Sequence, residues 1–239
     1  MTRIFGLLGE KLSHSFSPLI HSYLGDYEYR LFEVAPGGVG DFLLHGGFDG
    51  LNVTIPYKKT VIPYCHELSE KAKKIGSVNT LLRRPDGGLF GDNTDYDGFS
   101  YLLDKLTADI SGAKALILGS GGSSATVRAV LTDRGAGELV TVSRCGPDNY
   151  QNLDRHADAE LVVNTTPVGM YPDTGASPVG LSAFPACRAV VDIIYNPART
   201  NLLLDAEALG IPCVNGLPML VAQAKRASEL FTSEAVDDA

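Results

Sequence analysis

The sequence has no long apolar run and no excess of basic residues, and both absences exclude classes of protein. The apolar run at residues 4–8 turns polar at Gly9, Glu10 and Lys11, too early for a signal peptide, and no stretch approaches the roughly 18 apolar residues of a membrane span. Lysine and arginine number 20 against 28 acidic residues, so the formal net charge is -8. Nucleic acids and anionic membranes bind basic surfaces. We therefore expect a cytoplasmic protein that binds neither nucleic acid nor membrane.

Cysteine is also scarce and scattered. The four cysteines, at positions 65, 145, 187 and 213, form no Cys-x-x-Cys pair and lack metal-ligand spacing. They are predicted to stay reduced, and no metal site is expected. The sequence has no internal repeat. Its 239 residues and 44% hydrophobic content suit one large globular domain or two modest ones.

The most informative pattern in the sequence is a glycine-rich turn within residues 113–131. An apolar run ends at Gly119, Gly121 and Gly122, and apolar residues with helical spacing follow. A strand that passes through such a turn into a helix presents backbone N–H groups and the positive end of the helix dipole, and glycine lets a diphosphate approach. The turn predicts a dinucleotide site. A turn that only joins strand to helix is the alternative, and Ser124 stands where a third glycine is usual.

The end of the next strand, at residues 138–143, bears on the choice of nucleotide. In a dinucleotide site an acidic residue here binds the 2′-hydroxyl of NAD, whereas arginine suits the 2′-phosphate of NADP. The sequence places Ser143, Arg144 and Cys145 there, without an acid. Arg144 therefore favours NADP, and an exposed loop arginine is the alternative.

Further strand patterns complete this half of the chain. A third strand at residues 160–164 runs into Thr165 and Thr166, which we expect beside the nicotinamide. A fourth strand at residues 189–194 ends at Tyr195. The remaining predicted elements are a helix at 202–209, a strand at 211–214 and a final helix from Pro218.

The first part of the chain alternates in the same way. Strands that alternate with helices on both sides of a boundary near Asp97 predict parallel α/β sheets. The predicted strands cover residues 4–8, 27–34, 48–55 and 76–82, and the helices cover 18–24, 38–45, 68–75 and 99–106.

Two charged residues stand close to strand ends. The strand at residues 48–55 runs into Pro56 and cannot pair further, so Lys58 begins a new element where open α/β sheets place their chemistry. Asp95 lies in a tight polar turn before the helix at residues 99–106. The alternatives are a solvated lysine and an aspartate that only caps the helix.

Three uncharged polar residues of interest also fit purely structural roles. Ser17 fits the N-cap of the helix that Pro18 begins, and Ser15 fits loop polarity. Gln223 fits an ordinary surface amide on the last helix.

Taken in order, these motifs resemble the shikimate dehydrogenase family over nearly the whole chain. Each motif alone is weak, but all of them occur in the family's order and at workable spacing. They are His14-Ser15-Phe16-Ser17-Pro18, Asn52-Val53-Thr54-Ile55-Pro56-Tyr57-Lys58, Ser77-Val78-Asn79-Thr80, Asn93-Thr94-Asp95, Gly119-Ser120-Gly121-Gly122, Asn164-Thr165-Thr166, Asp192-Ile193-Ile194-Tyr195 and Gly216-Leu217-Pro218-Met219-Leu220-Val221-Ala222-Gln223.

The resemblance implies a two-domain α/β protein. Residues 1–97, completed by the helix at 218–239, would form an α/β substrate-binding domain. Residues 98–217 would form a Rossmann-like dinucleotide-binding domain with a mostly parallel sheet, and the active site would lie in the cleft between the domains.

The resemblance also implies an activity and its residues. The reaction would be the reversible, NADP-dependent reduction of 3-dehydroshikimate to shikimate by hydride transfer, a step of aromatic amino-acid and chorismate biosynthesis. Lys58 and Asp95 would be the catalytic pair, the lysine moving the proton that hydride transfer requires and the carboxylate orienting it. Ser15 and Ser17 would bind the substrate carboxylate, Thr54, Lys58, Asn79, Asp95 and Gln223 would hold the ring hydroxyls, and Tyr195 would line the cleft. The predicted cofactor contacts are Gly119, Ser120, Gly121, Gly122, Ser123, Ser143, Arg144, Thr165, Thr166, Ile193 and Gly216.

Two departures from the family pattern concern the cofactor. Many members have an Asn-Arg-Thr type stretch where this chain has Ser143-Arg144-Cys145. The chain also looks short after that strand, which predicts fewer contacts on the adenine side.

Three other functions remain open from the sequence. An NAD-dependent quinate/shikimate dehydrogenase is disfavoured by Arg144, and a non-catalytic sensor of a shikimate-like ligand or NADP is disfavoured by the presence of both Lys58 and Asp95. A related dehydrogenase that acts on another small acid or a folate is disfavoured by the paired serines. We expect a small-molecule substrate and a monomer or homodimer.

Overall fold

The chain folds into two compact units. The structure, a computed structural model, describes residues 3–12 and 15–237. The first unit comprises the described residues up to Gly98 together with those from Val221 onward, and the second is Phe99–Leu220. No helix in the described part of the chain is long and apolar enough to cross a membrane.

The first unit is built on a six-stranded mixed sheet. Its strands are β1 (Ile4–Gly9), β2 (Glu28–Glu33), β3 (Gly50–Val53), β4 (Glu67–Leu68), β5 (Thr80–Arg83) and β6 (Leu89–Asp92). Their order is β2-β1-β3-β5-β6-β4. Strand β1 is parallel to β2 and β3, whereas β5 is antiparallel to β3 and β6. The helices are α1 (Ser17–Leu24), α2 (Val39–His45), α3 (Glu70–Ile75) and the first turn of α4 (Asp95–Asp104).

The antiparallel strands contradict the parallel sheet that the alternating pattern predicts for this unit. A tight turn joins β5 to β6, in which Arg84 N–H donates to the Gly88 carbonyl at 2.8 Å and Gly87 has φ +86°. Parallel neighbours need a crossover of roughly a dozen residues or more, so a connection this short forces an antiparallel pair. The pattern also missed β6, a four-residue strand.

One helix boundary differs from its prediction for a local reason. The helix predicted at residues 68–75 begins only at Glu70, because Ser69 caps it by accepting a hydrogen bond from Ala72 N–H at 3.1 Å. Leu68 instead belongs to β4.

The last helix, α7 (Leu217–Thr232), completes the core of the first unit. Phe231 stacks on Phe5 of β1 with ring centroids 4.5 Å apart, and Ala227 is buried in the same cluster. Burying a phenylalanine contributes roughly 2–3 kcal/mol. This packing explains why the chain returns to the first unit at its end.

The second unit contains a five-stranded, wholly parallel sheet, which confirms the sheet predicted there. Its strands are β7 (Ala115–Leu118), β8 (Leu139–Val142), β9 (Leu161–Asn164), β10 (Ala189–Asp192) and β11 (Cys213–Val214), in the order β11-β10-β9-β7-β8. Its other helices are α5 (Gly122–Asp133) and α6 (Asn201–Ala208). Strand order reverses between β7 and β9, and the carboxyl ends of strands at such a point are where open α/β sheets bind ligands.

The three central strands of this sheet are buried along their full length. All four residues of β7, β9 and β10 are inaccessible to solvent, which accounts for their continuous apolar runs. The exceptions are Asn164 and Asp192, two buried polar residues that end β9 and β10.

The connection from β8 to β9 is unusually simple. The two strands lie on either side of β7, yet the chain between them contains only one short 3-10 helix, Leu153–His156. Crossovers between parallel strands usually carry an α-helix. That the chain is short for its family after β8 stays a prediction.

Candidate active site

Lys58 and Asp95 form a buried ion pair in the first unit. Lys58 Nζ lies 2.5 Å from Asp95 Oδ2, and the two side chains are only 17% and 10% exposed. Removing one partner of a pair this buried leaves an uncompensated charge, which typically costs several kcal/mol. The pair therefore joins a proton donor to the carboxylate that orients it, within hydrogen-bond distance.

The turn after β3 fixes the position of Lys58. Tyr57 is fully buried and its hydroxyl donates to the Val34 carbonyl at 2.5 Å, which anchors the residue before Lys58. The Lys58 carbonyl accepts from Val78 N–H at 2.8 Å. Lys58 is therefore held on both sides, and its long side chain is the part left to reach the carboxylate.

Asp95 does not cap α4, so the capping alternative is wrong. It is the first residue of the helix, and the cap is Asn93, whose Oδ1 accepts from Tyr96 N–H at 3.3 Å. Asn93 is fully buried and its Nδ2 donates to the Ser77 carbonyl at 2.9 Å. An acidic residue in the first turn is favoured by the helix dipole. The Asp95 carboxylate is thus free of capping and pairs with Lys58.

Asn79 sits at the centre of a buried polar network beside this helix start. Its Oδ1 accepts from Thr94 N–H at 2.6 Å and from the Thr80 hydroxyl at 3.0 Å. Its Nδ2 donates to Thr94 Oγ1 at 3.1 Å. Since Thr94 immediately precedes Asp95, Asn79 fixes the backbone from which the carboxylate projects.

The network extends to residues that sequence reasoning did not identify as site residues. Tyr29 donates to Asn52 Oδ1 at 2.8 Å, and Asn52 Nδ2 donates to Thr80 Oγ1 at 3.4 Å. Asn52 is 5% exposed in the otherwise apolar strand β3. A polar residue inside a short apolar strand is the signal that would have found it, because such a residue must be hydrogen-bonded when buried.

The two predicted serines lie at the start of α1, and the assignment of Ser17 as N-cap is wrong. The N-cap is Phe16, and Ser17 is the first helical residue. Ser15 Oγ accepts from Ser17 N–H at 3.2 Å, so Ser15 supplies the hydroxyl that turns the chain into the helix. His14, part of the same motif, lies outside the described residues.

Thr54 and Gln223 are half-buried in the first unit. Thr54 N–H donates to the Leu8 carbonyl at 2.9 Å directly after β3, and Gln223 lies on α7. An open cavity of about 1090 Å³ elsewhere in this unit, lined among others by Arg3 and Glu234, contains none of the predicted site residues.

The glycine turn of the second unit fits a dinucleotide. Gly119 has φ +106°, and a Cβ there would lie 2.7 Å from Thr165 Oγ1, so the fold itself requires glycine. Gly121 differs, because its φ of −80° suits any residue and a Cβ would meet nothing within 4 Å. It is also the N-cap of α5 and offers no side-chain cap. Open space beside uncapped helix N–H groups is what a diphosphate requires.

A buried network closes the neighbouring strand ends. Asn164 Nδ2 donates to Asp192 Oδ1 at 3.0 Å, and Asn164 Oδ1 accepts from Thr166 N–H at 3.0 Å. Asp192 Oδ2 accepts from the Thr200 hydroxyl at 2.7 Å. Burial raises the pKa of Asp192, against these hydrogen bonds and one from Ile194 N–H that lower it.

These partners explain how the second group of predicted residues is held. Thr165 Oγ1 donates to the Leu118 carbonyl at 2.6 Å, so the threonine turn is tied to the end of β7. Asn164, Asp192 and Thr200 were not predicted as site residues. The signal for the first two is an amide or carboxylate that ends an apolar strand.

Gly216 and Ile193 are in direct backbone contact. A Cβ at Gly216 would lie 1.9 Å from the Ile193 carbonyl oxygen, so close packing alone explains this glycine. Tyr195, two residues beyond Ile193, is half-buried, and burial raises its pKa.

Ser143 and Arg144 lie in a small closed loop after β8. Ser143 N–H donates to the Asp148 carbonyl at 3.0 Å, and Arg144 is exposed. The predicted residues therefore fall into two groups, one in each unit. Those around Lys58 and Asp95 belong to the first unit, whereas the cofactor residues and Tyr195 belong to the second.

Comparison with known proteins gives matches across both units. The family model for the shikimate dehydrogenase substrate binding domain matches residues 7–81. The chain is 36% identical over 265 residues to the shikimate dehydrogenase (NADP(+)) of Caldanaerobacter subterraneus subsp. tengcongensis, covering 99% of this chain and 94% of the relative.

Solved structures agree with the sequence match. The chain superposes with a TM-score of 0.91 and 38% identity on a chorismate mutase/shikimate 5-dehydrogenase fusion protein from Clostridium acetobutylicum, covering 100% of this chain and 94% of that one. The TM-score is 0.88, with 32% identity and coverage of 99% and 95%, for shikimate 5-dehydrogenase from Thermus thermophilus in complex with NADP(H) and shikimate.

Proposed function

This chain belongs to the shikimate dehydrogenase family, and we propose that it catalyses the reversible, NADP-dependent reduction of 3-dehydroshikimate to shikimate. The reaction is a step of aromatic amino-acid biosynthesis. The observation that carries the proposal is the buried Lys58–Asp95 pair at 2.5 Å, within a network of hydroxyl and amide groups. A polyhydroxylated acid is the kind of molecule that such groups bind.

Lys58 moves the proton of this reaction. NADPH, when bound, supplies the hydride that the carbonyl carbon receives, and the carbonyl oxygen then needs a proton. Lys58 Nζ donates that proton during reduction and takes it back during oxidation. Asp95 Oδ2 holds the ammonium group in place, so little reorientation is needed at the moment of transfer.

The substrate carboxylate is bound at the start of α1. Ser15 Oγ acts as an acceptor toward Ser17 N–H, so its own O–H can donate to a carboxylate. Ser17 supplies the second hydroxyl.

The ring hydroxyls are bound by Thr54, Asn79 and Gln223. An amide nitrogen carries two hydrogens, and Thr94 accepts one of those on Asn79 Nδ2, which leaves the other to donate to a hydroxyl. A site that pairs each hydroxyl rejects an analogue lacking one by large factors, because its buried groups are then unpaired.

The cofactor is held by the second unit. The residues of the glycine turn, Gly119 to Ser123, bind the diphosphate at the start of α5, and Ser143 and Arg144 bind the 2′-phosphate. Thr165, Thr166, Ile193 and Gly216 would hold the rest of the cofactor, and Tyr195 would contribute to substrate binding.

We infer further that the protein is cytoplasmic, a monomer or homodimer, and does not bind nucleic acid. A formal net charge of -8 opposes the approach of polyanions.

Steady-state oxidation of shikimate tests the proposal. Absorbance of the reduced nicotinamide is followed with NADP and with NAD, and again with quinate in place of shikimate. We expect turnover of shikimate with NADP. Turnover confined to quinate and NAD would contradict the proposal, and so would the absence of any turnover.

The role of Lys58 is tested with a neighbouring lysine as control. Lys58→Ala is expected to lower kcat by about 100-fold or more, as expected for loss of a general acid, while shikimate binding persists. Lys59→Ala removes an exposed lysine one position away and should leave kcat unchanged. Equal losses in both variants, or near-normal turnover in Lys58→Ala, would remove Lys58 from its role.

A further inference from the structure

The loop after β8 contains an acidic residue, Asp148, as well as Arg144. The hydrogen bond from Ser143 N–H to the Asp148 carbonyl closes the loop at 3.0 Å, and a Cβ at Gly146 would lie 2.6 Å from Ser143 Oγ. Arg144 and Asp148 therefore occupy one tight loop. The segment Ser143-Arg144-Cys145 has no acidic residue, but the hydrogen bond that closes the loop brings Asp148 back to its start.

The Asp148 carboxylate is held in place by a buried histidine. His156 Nε2 donates to Asp148 Oδ1 at 2.9 Å, and the side chains of His156 and Asp148 are 11% and 32% exposed. His156 Nδ1 is buried and, within the described part of the chain, has no hydrogen-bond partner. The hydrogen bond from Nε2 fixes the orientation of the Asp148 carboxylate.

We propose that Asp148 is a specificity-determining residue that reduces the selectivity of this chain for NADP over NAD. The proposal rests on the proposed function, in which this loop meets the ribose 2′ position. Arg144 attracts a 2′-phosphate, whereas a carboxylate in the same loop repels it and can accept a hydrogen bond from the 2′-hydroxyl of NAD. A positive and a negative charge in the same loop therefore make the affinities for NADP and NAD more similar.

Binding of two nucleotide fragments to the purified protein tests the proposal without measuring turnover. Adenosine 2′,5′-bisphosphate carries the 2′-phosphate and 5′-AMP lacks it, so the ratio of their dissociation constants by calorimetry reports discrimination at this position. Asp148→Asn removes the charge and keeps an oxygen for His156. We expect it to tighten the bisphosphate about fivefold, as expected for removal of one nearby partly solvated charge, and to leave 5′-AMP within about twofold.

A matched acid in the same crossover serves as control. Asp154→Asn makes the same charge change at an exposed position of the 3-10 helix and should leave the ratio unchanged. Asp148→Ser must move the ratio in the same direction as Asp148→Asn. In activity assays, kcat/KM for NADP relative to NAD should rise by a similar factor in both Asp148 variants.

Three results would overturn the proposal. They are an unchanged ratio in Asp148→Asn, an equal change of the ratio in Asp154→Asn, and a ratio that moves in opposite directions in Asp148→Asn and Asp148→Ser. If shikimate were not a substrate at all, the binding ratio would still decide the role of Asp148, so the two failures are distinguishable.

Discussion

His21 is predicted to make the fold of the first unit sensitive to acid. The side chain is 1% exposed on α1 and stacks on Tyr29 with centroids 4.0 Å apart. Its Nδ1 lies 2.6 Å from the Tyr27 hydroxyl, which itself donates to Ser228, so the ring donates at this nitrogen. Burial lowers the pKa of His21 from 6.5 to about 3, against a hydrogen bond with the Asn52 side chain that raises it.

The sign and size of the effect follow from proton linkage. Between pH 6.5 and about 3 the unfolded chain binds a proton at His21 that the folded chain does not. The free energy of unfolding therefore falls by about 1.4 kcal/mol for each pH unit below 6.5. Above pH 6.5 both states are neutral at this position and the contribution disappears. Moving from pH 7.5 to pH 5 should cost about 2 kcal/mol through this one residue.

Urea denaturation at pH 7.5 and pH 5 measures this, with a variant to isolate the residue. His21→Asn places an amide nitrogen near the position of Nδ1 but does not titrate, so its stability should fall by about 2 kcal/mol less than that of the wild type over the same interval. His45→Asn, on the exposed surface of α2, provides a control that should behave as the wild type. Equal pH dependence in the wild type and His21→Asn would refute the reasoning.

Three further predictions separate binding from folding. Gly121→Val adds a side chain where the chain itself leaves open space, so NADP affinity should fall by about tenfold or more in a calorimetric titration, while the poorer N-cap lowers the free energy of unfolding in urea by only about 1 kcal/mol. Gly216→Ala should lower the urea-derived free energy of unfolding by about 2 kcal/mol or more, because its Cβ would collide with the Ile193 carbonyl oxygen. Asn93→Ala removes the cap of α4, and we expect a loss of about 2 kcal/mol in urea together with reduced kcat, because the cap positions Asp95. A stable Asn93→Ala variant with normal kcat would contradict that role.

The parallel unit could be predicted from the sequence because its three central strands are buried on both faces. Continuous apolar runs such as Ala115–Leu118 leave little ambiguity, and the glycine turn follows directly. The mixed sheet of the first unit could not, since strand direction there depends on turn length more than on apolar pattern. The motif residues Lys58 and Asp95 were chosen from the sequence, but their 2.5 Å contact depends on long-range packing that no local pattern encodes.

Several predicted site residues share one means of positioning, a buried aspartate or asparagine at the end of a strand. Each accepts a hydrogen bond from a backbone N–H just beyond its own strand, which turns the chain at that point. The bonds run from Asn93 N–H to Asp92 Oδ1 at 2.8 Å, from Thr166 N–H to Asn164 Oδ1 at 3.0 Å and from Ile194 N–H to Asp192 Oδ1 at 3.1 Å.

Residues for which we propose roles in the reaction follow these turns. Asp95 comes three positions after Asp92, and Tyr195 comes three positions after Asp192. Burying a carboxylate or amide is unfavourable unless the group is hydrogen-bonded. At each strand end the hydrogen bond to a backbone N–H offsets this desolvation and also fixes the direction of the following backbone. An apolar residue at the same position would pack as well, but it could not accept the backbone hydrogen bond that orients the residues after the strand. We therefore propose that the polar strand ends position the site residues even where they touch no substrate.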